Sequence, residues 1–206
     1  NNNGRYGEFN DGDNGGDVDL TAEILVGRFP VENEVELAHM VRKTLHYDQA
    51  ARSSFQNNGF VSEKVNFGST VYGLPFMEEI RLGSTTFGRD TLGYQNSPYS
   101  ADFITSNNLH DSETYLFTPD DMAHYLNNAL HTINHIGHGT TFQCMKLNVL
   151  LPSDLSTLTT LANPFPYFIQ SQACLSGAFD RLNCFAETIV TVTNAAAAVV
   201  MNSRNG

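Results

Sequence analysis

Tryptophan is missing from this 206-residue chain, cysteine occurs only three times, and neither a basic run nor a long apolar segment is present. Each shortage excludes something. Asp and Glu total 22 against 11 Lys and Arg, a formal net charge of −11. Such a surface repels a phosphate backbone, and no Lys/Arg cluster offsets the repulsion, so a nucleic-acid partner is excluded. The longest apolar stretches, Ala195 to Met201 among them, fall far short of the ~20 residues that a membrane span needs. Cys144, Cys174 and Cys184 allow one disulfide at most and leave a thiol over, which suits a thiol enzyme better than a disulfide scaffold. Without a Cys-x-x-Cys motif or a His-x-x-x-His pair on a predicted helix, zinc has no ligand pattern. No charged leader followed by an apolar stretch opens the chain, which starts at Asn1 rather than Met. A processed or excised piece is therefore expected, and export is not readable from it.

What is present fits one globular core: the hydrophobic fraction is 41%, and the length is that of a single domain. Residues 1–19 stand apart as a loop of Asn, Asp and Gly with almost no aliphatic side chains. Asp11, Asp13, Asp17 and Asp19, with Gly16 for a sharp turn, partly imitate a calcium loop, in which oxygen ligands recur at alternating positions. Gly15 occupies a ligand position and Ala22 replaces the closing Glu, so a structural calcium site and a solvated acidic turn both stand as readings.

Ala22 to Val31 is β-branched and aliphatic and predicts a buried strand stopped by Pro30. Asn33 and Glu36 make a capping box for a helix reaching about Tyr47, with Leu37, Val41 and Leu45 as its apolar stripe. The stretch from Arg52 to Ser112 has weak periodicity; it predicts loops, short strands around Phe60 to Asn66, and a helical turn near Met77 to Arg81. Thr118 as cap, Pro119 at the first helical position, Asp120 and Asp121 in the first turn, and the stripe Met122, Leu126 and Leu130 predict a helix. A strand over Thr132 to Ile136 follows. The plan then repeats: a helix near Ser153 to Leu161, a strand from Phe165, a helix near Asn183 to Val192, and a buried strand in Ala195 to Met201. Strands alternating with helices imply a parallel α/β sheet.

In that arrangement His138 and Cys174 each sit just past the carboxyl end of a strand, where open α/β sheets place their ligand sites. A thiol attacks best as thiolate, and an imidazole beside it takes the proton and later returns it to the leaving group. Gly139 has no Cβ, so its N–H can approach a substrate carbonyl and, with the Cys174 N–H, form an oxyanion site. Spacing alone does not decide the matter, because a cysteine after an apolar strand is often an inert core residue.

The wording of the two blocks goes further. The segments "NHIGHGTT" and "FIQSQACLSGAFDRLNCFAET" closely resemble the catalytic blocks of the gingipain family of cysteine peptidases. "ILVGRFPVENEVELAHMVRKTLHYD" and "AAAAVVMNSRNG" resemble the flanking elements of the same family. The resemblance implies a caspase-like α/β fold, a three-layer sandwich whose mostly parallel sheet is flanked by helices. One domain is expected over residues 1–206, incomplete at both ends. It also implies His138 as the catalytic histidine, Cys174 as the nucleophile, and Gly139 with the Cys174 backbone as oxyanion donors. Cys184 takes a structural place at a helix start, and Cys144 has no role.

The expected activity is cysteine endopeptidase action on protein or peptide substrates, with no cofactor required for the chemistry. A sortase-like transpeptidase of type IX secretion would carry the same dyad, and an inactive caspase-like scaffold or adhesin module is the reading from another class. Family resemblance further implies a bacterial protein, secreted or at the cell surface, with further domains on the full-length chain. Phe142 stands near the position of a family tryptophan and, with Glu78 and Glu79, is a candidate for substrate binding. Leu74 or Pro75 falls where arginine-specific members carry an acid, so preference for a basic residue does not follow.

Overall fold

The computed structural model describes residues 26–49, 57–66, 70–86, 90–96, 105–128, 130–163, 165–181 and 183–205. Five parallel strands form its centre: β1 (Asn57–Ser62), β4 (Thr105–His110), β5 (Thr132–Ile136), β9 (Phe168–Ser171) and β10 (Ala198–Met201). Their order across the sheet is β10-β9-β5-β1-β4. Two small antiparallel units stand beside it. Strands β2 (Lys64–Asn66) and β3 (Thr70–Tyr72) pair with each other, and β6 (Gly139–Thr140), β7 (Gln143–Cys144) and β8 (Leu147–Asn148) form a meander.

The helices are α1 (Glu34–Gln49), α2 (Leu74–Leu82), α3 (Gly93–Asn96), α4 (Pro119–Leu126), α5 (Pro152–Thr159) and α6 (Phe185–Thr191). Helix α4 begins as its residues dictate: the Asp121 N–H donates to Thr118 Oγ1, and the Thr118 N–H donates to Asp121 Oδ2 at 2.7 Å. Met122 and Leu126 are fully buried on its inner face, whereas Leu130 joins the core from beyond the helix end. At α1 the Asn33 half of the predicted box is present, the Glu36 N–H donating to Asn33 Oδ1 at 3.0 Å, while the Glu36 carboxylate accepts from the Glu32 N–H at 2.8 Å and from the Asn33 side-chain amide at 2.9 Å.

The stripe predicted for α1 is not the face it buries. Leu37, Val41 and Leu45 are 42%, 41% and 53% exposed, while Met40 and Lys43 are buried. Helix α1 lies against α6, and its inner face caps that helix. His39 Nδ1 meets Thr191 O at 2.9 Å, Arg42 donates to Thr193 O at 2.6 Å, and Lys43 Nζ donates to Val190 O and Val192 O. The last carbonyls of a helix lack intrahelical donors, and these side chains bring nitrogen groups to them.

One further expectation is corrected and another is extended. Of the strand predicted over Ala22 to Val31, residues 22–25 lie outside the described residues. Val26 to Val31 form no strand, and Val26 is 88% exposed. The stretch from Arg52 to Ser112, predicted as loops with short strands around Phe60 to Asn66, has strands there, β1 and β2, and β1 is a central strand of the sheet. Strand β1 pairs with β4 on one side and β5 on the other despite its polar sequence "NNGFVS". Tyr125 supports it, since a Cβ on Gly59 would lie 2.7 Å from Tyr125 Oη, which itself accepts the Phe60 N–H at 2.9 Å. Among the described residues, no helix is long and apolar enough to cross a membrane.

Candidate active site

Strands β1, β5 and β9 are neighbours and parallel, so their carboxyl ends deliver Glu63, Gly137-His138-Gly139 and Gln172-Ala173-Cys174 to one edge of the sheet. The register sets Ser62 opposite Ile136 and His135 opposite Ser171. The histidine and cysteine blocks meet through their backbones: a Cβ on Gly139 would lie 2.7 Å from the Cys174 carbonyl oxygen and 2.8 Å from Ala173 Cβ. The missing side chain of Gly139 thus already serves the approach to the nucleophile block. Cys174 is partly buried and His138 is exposed. Directly after Cys174, Leu175 adopts φ 56°, a left-handed conformation that costs a non-glycine residue about 1–3 kcal/mol. The turn is held there by Leu175 N and Gly177 N, which donate to Arg204 O and Asn202 O at 2.9 Å each.

The orientation of His138 follows from one bond. Its Nε2 lies 3.1 Å from the Lys64 carbonyl oxygen, which only accepts, so the proton belongs on Nε2 and Nδ1 carries the lone pair. Lys64 is itself fixed, its N–H donating to Asp111 Oδ2 at 2.9 Å. Buried Asp111 also accepts from Phe117 N and from Lys146 Nζ, the latter at 2.6 Å. The His138 backbone N–H points to Glu63 Oε2 at 3.4 Å.

Beneath this edge lies a polar cluster that the sequence reading missed. Glu63, His135, Cys144 and Ser171 are 5%, 1%, 0% and 2% exposed. His135 Nε2 lies 3.1 Å from Glu63 Oε1, and its Nδ1 lies 2.8 Å from Ser171 Oγ. Cys144 Sγ stands 3.4 Å from Ser171 Oγ and 3.7 Å from His135 Nδ1. Burial opposes charge on His135, but the Cys144 sulfur and the Glu63 carboxylate outweigh it and push its pKa up to about 9. In the charged ring both N–H groups donate, one to Glu63 and one to Ser171, leaving the serine O–H for the Cys144 sulfur. Gly137 completes the arrangement, because a Cβ there would fall 2.6 Å from both Glu63 Cδ and His135 Nε2. Cys144, to which the resemblance gives no role, has two polar neighbours, His135 and Ser171, and is fully buried.

The other predicted site residues are dispersed. Glu78 is paired with Arg81 and accepts from Asn108 of the edge strand β4 at 3.2 Å, three strands away from the one that precedes Cys174. Glu79 meets Thr86 Oγ1 at 3.4 Å. Phe142, between β6 and β7, packs on the core and lines a cavity of about 440 Å³ with Val149, Leu150 and Leu155. A second cavity, about 340 Å³, lies beside Gly177 and Phe179 on the turn after Cys174. Asp11, Asp13, Asp17 and Asp19 lie outside the described residues; among those described, no three His, Cys, Asp or Glu side chains cluster to hold a metal. Cys184 opens α6, fully buried, with its N–H donating to Glu187 Oε2 at 3.2 Å.

A parallel five-stranded sheet flanked by helices, with the histidine and cysteine blocks side by side at its carboxyl edge, defines a caspase-like α/β sandwich of the cysteine-peptidase class. The pattern of peptidase family C25, the gingipain family, matches residues 3–206, and the chain belongs to that family. Two solved structures share the fold. One, described as "Structure of Protease", has a TM-score of 0.58 at 19% identity, covering 85% of this chain and 36% of that one. The other, from the complex of Porphyromonas gingivalis RgpB pro- and mature domains, has a TM-score of 0.60 at 17% identity, covering 89% and 41%. The chain thus spans well under half the length of either. No curated protein matches it significantly.

Proposed function

We propose that this domain is a cysteine endopeptidase in which Cys174 attacks the peptide carbonyl and His138 moves the protons. The observation that carries the reading is the convergence of the two blocks on one sheet edge, with the His138 ring anchored through Nε2 to Lys64 O. The Nδ1 lone pair takes the thiol proton, the thiolate adds to the carbonyl carbon, and the imidazolium returns the proton to the leaving amine. Water then attacks the acyl-enzyme with His138 again as base. The Gly139 and Cys174 N–H groups are the proposed oxyanion donors. Glu63 supports the histidine from the backbone side. Secretion or surface display, and further domains on a longer chain, belong to the same proposal.

Incubation with a peptide library, read by mass spectrometry, tests it. New carboxyl and amino termini that vanish in Cys174→Ala support hydrolysis. Cleavage that persists in Cys174→Ala, or no cleavage by the wild type, overturns it. An added amine captured at the new carboxyl terminus in place of water would reassign the step to transfer.

A further inference from the structure

We propose that His135 is a positioning residue that locks the His138 and Cys174 blocks to each other from beneath, through Glu63 on one side and Ser171 on the other. Its consequence for catalysis rests on the peptidase reading above; its geometry does not.

A strand interior beside Ile133 and Ile169, both fully buried, is a place for an aliphatic residue, and a buried imidazole there costs free energy unless both nitrogens are partnered. Both are, and each partner reaches on to a catalytic segment. Glu63 uses one carboxylate oxygen for His135 Nε2 and aims the other at the His138 backbone N–H. Ser171 faces His135 Nδ1 and accepts the Ala173 N–H at 3.1 Å, one residue before the nucleophile. The chain of contacts therefore runs from the His138 backbone through Glu63, His135 and Ser171 to the Ala173 backbone.

The bridge has no slack. Gly137 leaves no room above the Glu63 and His135 side chains, and Cys144 closes the remaining side at 3.4 Å from Ser171 Oγ. Parallel pairing of β5 with β9 fixes the strands, but both catalytic residues lie beyond the last paired residues, His135 and Ser171. The bridge supplies fixation where the ladder has ended. Low-dielectric surroundings strengthen each of its bonds and make the loss of any one costly.

The test compares wild type, His135→Phe, His135→Gln and Ser171→Ala in the full chain, by inactivation of Cys174 with a peptidyl electrophile. His135→Phe removes both links and should lower the maximal inactivation rate constant by about 10- to 100-fold with unchanged reagent affinity, the scale of an ångström of misplacement. His135→Gln sets its amide nitrogen near the place of Nε2, keeps the Glu63 link, and should recover part of the loss. Ser171→Ala should show a smaller drop of the same kind. Amide exchange at His138 and Ala173 should quicken in His135→Phe whether or not the enzyme turns over.

A folded His135→Phe with the wild-type rate constant and wild-type exchange at both amides overturns the proposal. So does an equal loss in His135→Gln and His135→Phe, or a loss wholly explained by a lower folded fraction in thermal unfolding. If His135→Phe does not fold, Ser171→Ala decides by the same two readouts. A wild type whose Cys174 never reacts would sink the peptidase reading, while the exchange measurement would still judge the bridge.

Discussion

Replacing Gly139 with alanine tests the contact that joins the two blocks. The new Cβ would sit 2.7 Å from the Cys174 carbonyl oxygen, 2.8 Å from Ala173 Cβ and 3.1 Å from Gln143 O, whereas ordinary contact begins near 3.4 Å. None of these atoms is the end of a flexible side chain. The Cys174 carbonyl cannot simply rotate away, because the next residue, Leu175, is already left-handed and its N–H is held by Arg204 O. The blocks must therefore part by about 0.7 Å, the shortfall at the closest contact. Overpacking of this kind costs roughly 1–3 kcal/mol, and displacement approaching an ångström at a reacting pair costs about 10- to 100-fold in turnover. Thermal unfolding and kcat on a cleaved peptide measure both. Gly27→Ala is the control, since nothing lies within 4 Å of a Cβ there and neither quantity should change. A Gly139→Ala variant with wild-type Tm and wild-type kcat would refute the claim that the blocks touch.

Two buried cations give predictions with opposite pH signs. His135 has its folded pKa raised from 6.5 to about 9, so its ionic contribution is complete below pH 6.5 and fades as pH rises through 9. Denaturant unfolding should show the stability gap between wild type and His135→Phe narrowing between pH 6 and pH 9.5, by up to roughly 3 kcal/mol; a constant gap would contradict it. Lys43 is pulled down to about 7, chiefly by burial and also by the Arg42 charge. Between about pH 7 and 10.5 the unfolded state then binds the extra proton, and this contribution grows with pH. Lys43→Met, which leaves Val190 O and Val192 O without their donor, should cost about 1–3 kcal/mol near pH 10 and less at pH 7. A larger cost at pH 7 than at pH 10 would refute the assignment.

The elements that local chemistry specifies were legible in the sequence. Thr118, Pro119 and Asp121 mark the start of α4 because capping is a matter of neighbouring residues. Strands β5 and β9 follow from β-branched and aromatic residues set between turn residues and after predicted helices, Thr132, Ile133 and Ile136 before Gly137 and Tyr167, Phe168 and Ile169 after Pro164 and Pro166, and with them the placement of His138 and Cys174 at strand ends. A short strand around Phe60 was legible, but its start at Asn57 and its central place in the sheet were not, because "NNGFVS" carries little apolar signal and its burial comes from partners such as Tyr125, 65 residues away from Phe60. The inner face of α1 was hidden for a related reason: Lys43 and His39 look like solvent-facing residues until the carbonyls at the end of α6 are set against them. The β6-β7-β8 meander lacks an Asn-Gly signal, its turn being made by Met145 and Lys146 at φ 52° and 61°. Glu63 lies 72 residues before His135, and no spacing rule reaches across that interval. Its one trace is a carboxylate directly after Phe60-Val61-Ser62, at the end of a strand whose boundary the pattern did not mark.

The central claim is that Cys174, served by His138, is the reacting thiol. Mass-spectrometric mapping after a peptidyl electrophile is added to the folded protein tests it most directly. Cys174 is the partly buried thiol, while Cys144 and Cys184 are both 0% exposed. The account predicts a single adduct on Cys174, slowed at least ~10²-fold in His138→Ala, the usual range for losing a general base. Because His138 is exposed, that variant should keep the wild-type Tm. An adduct forming first on Cys144 or Cys184, or on Cys174 at the same rate without His138, would contradict it.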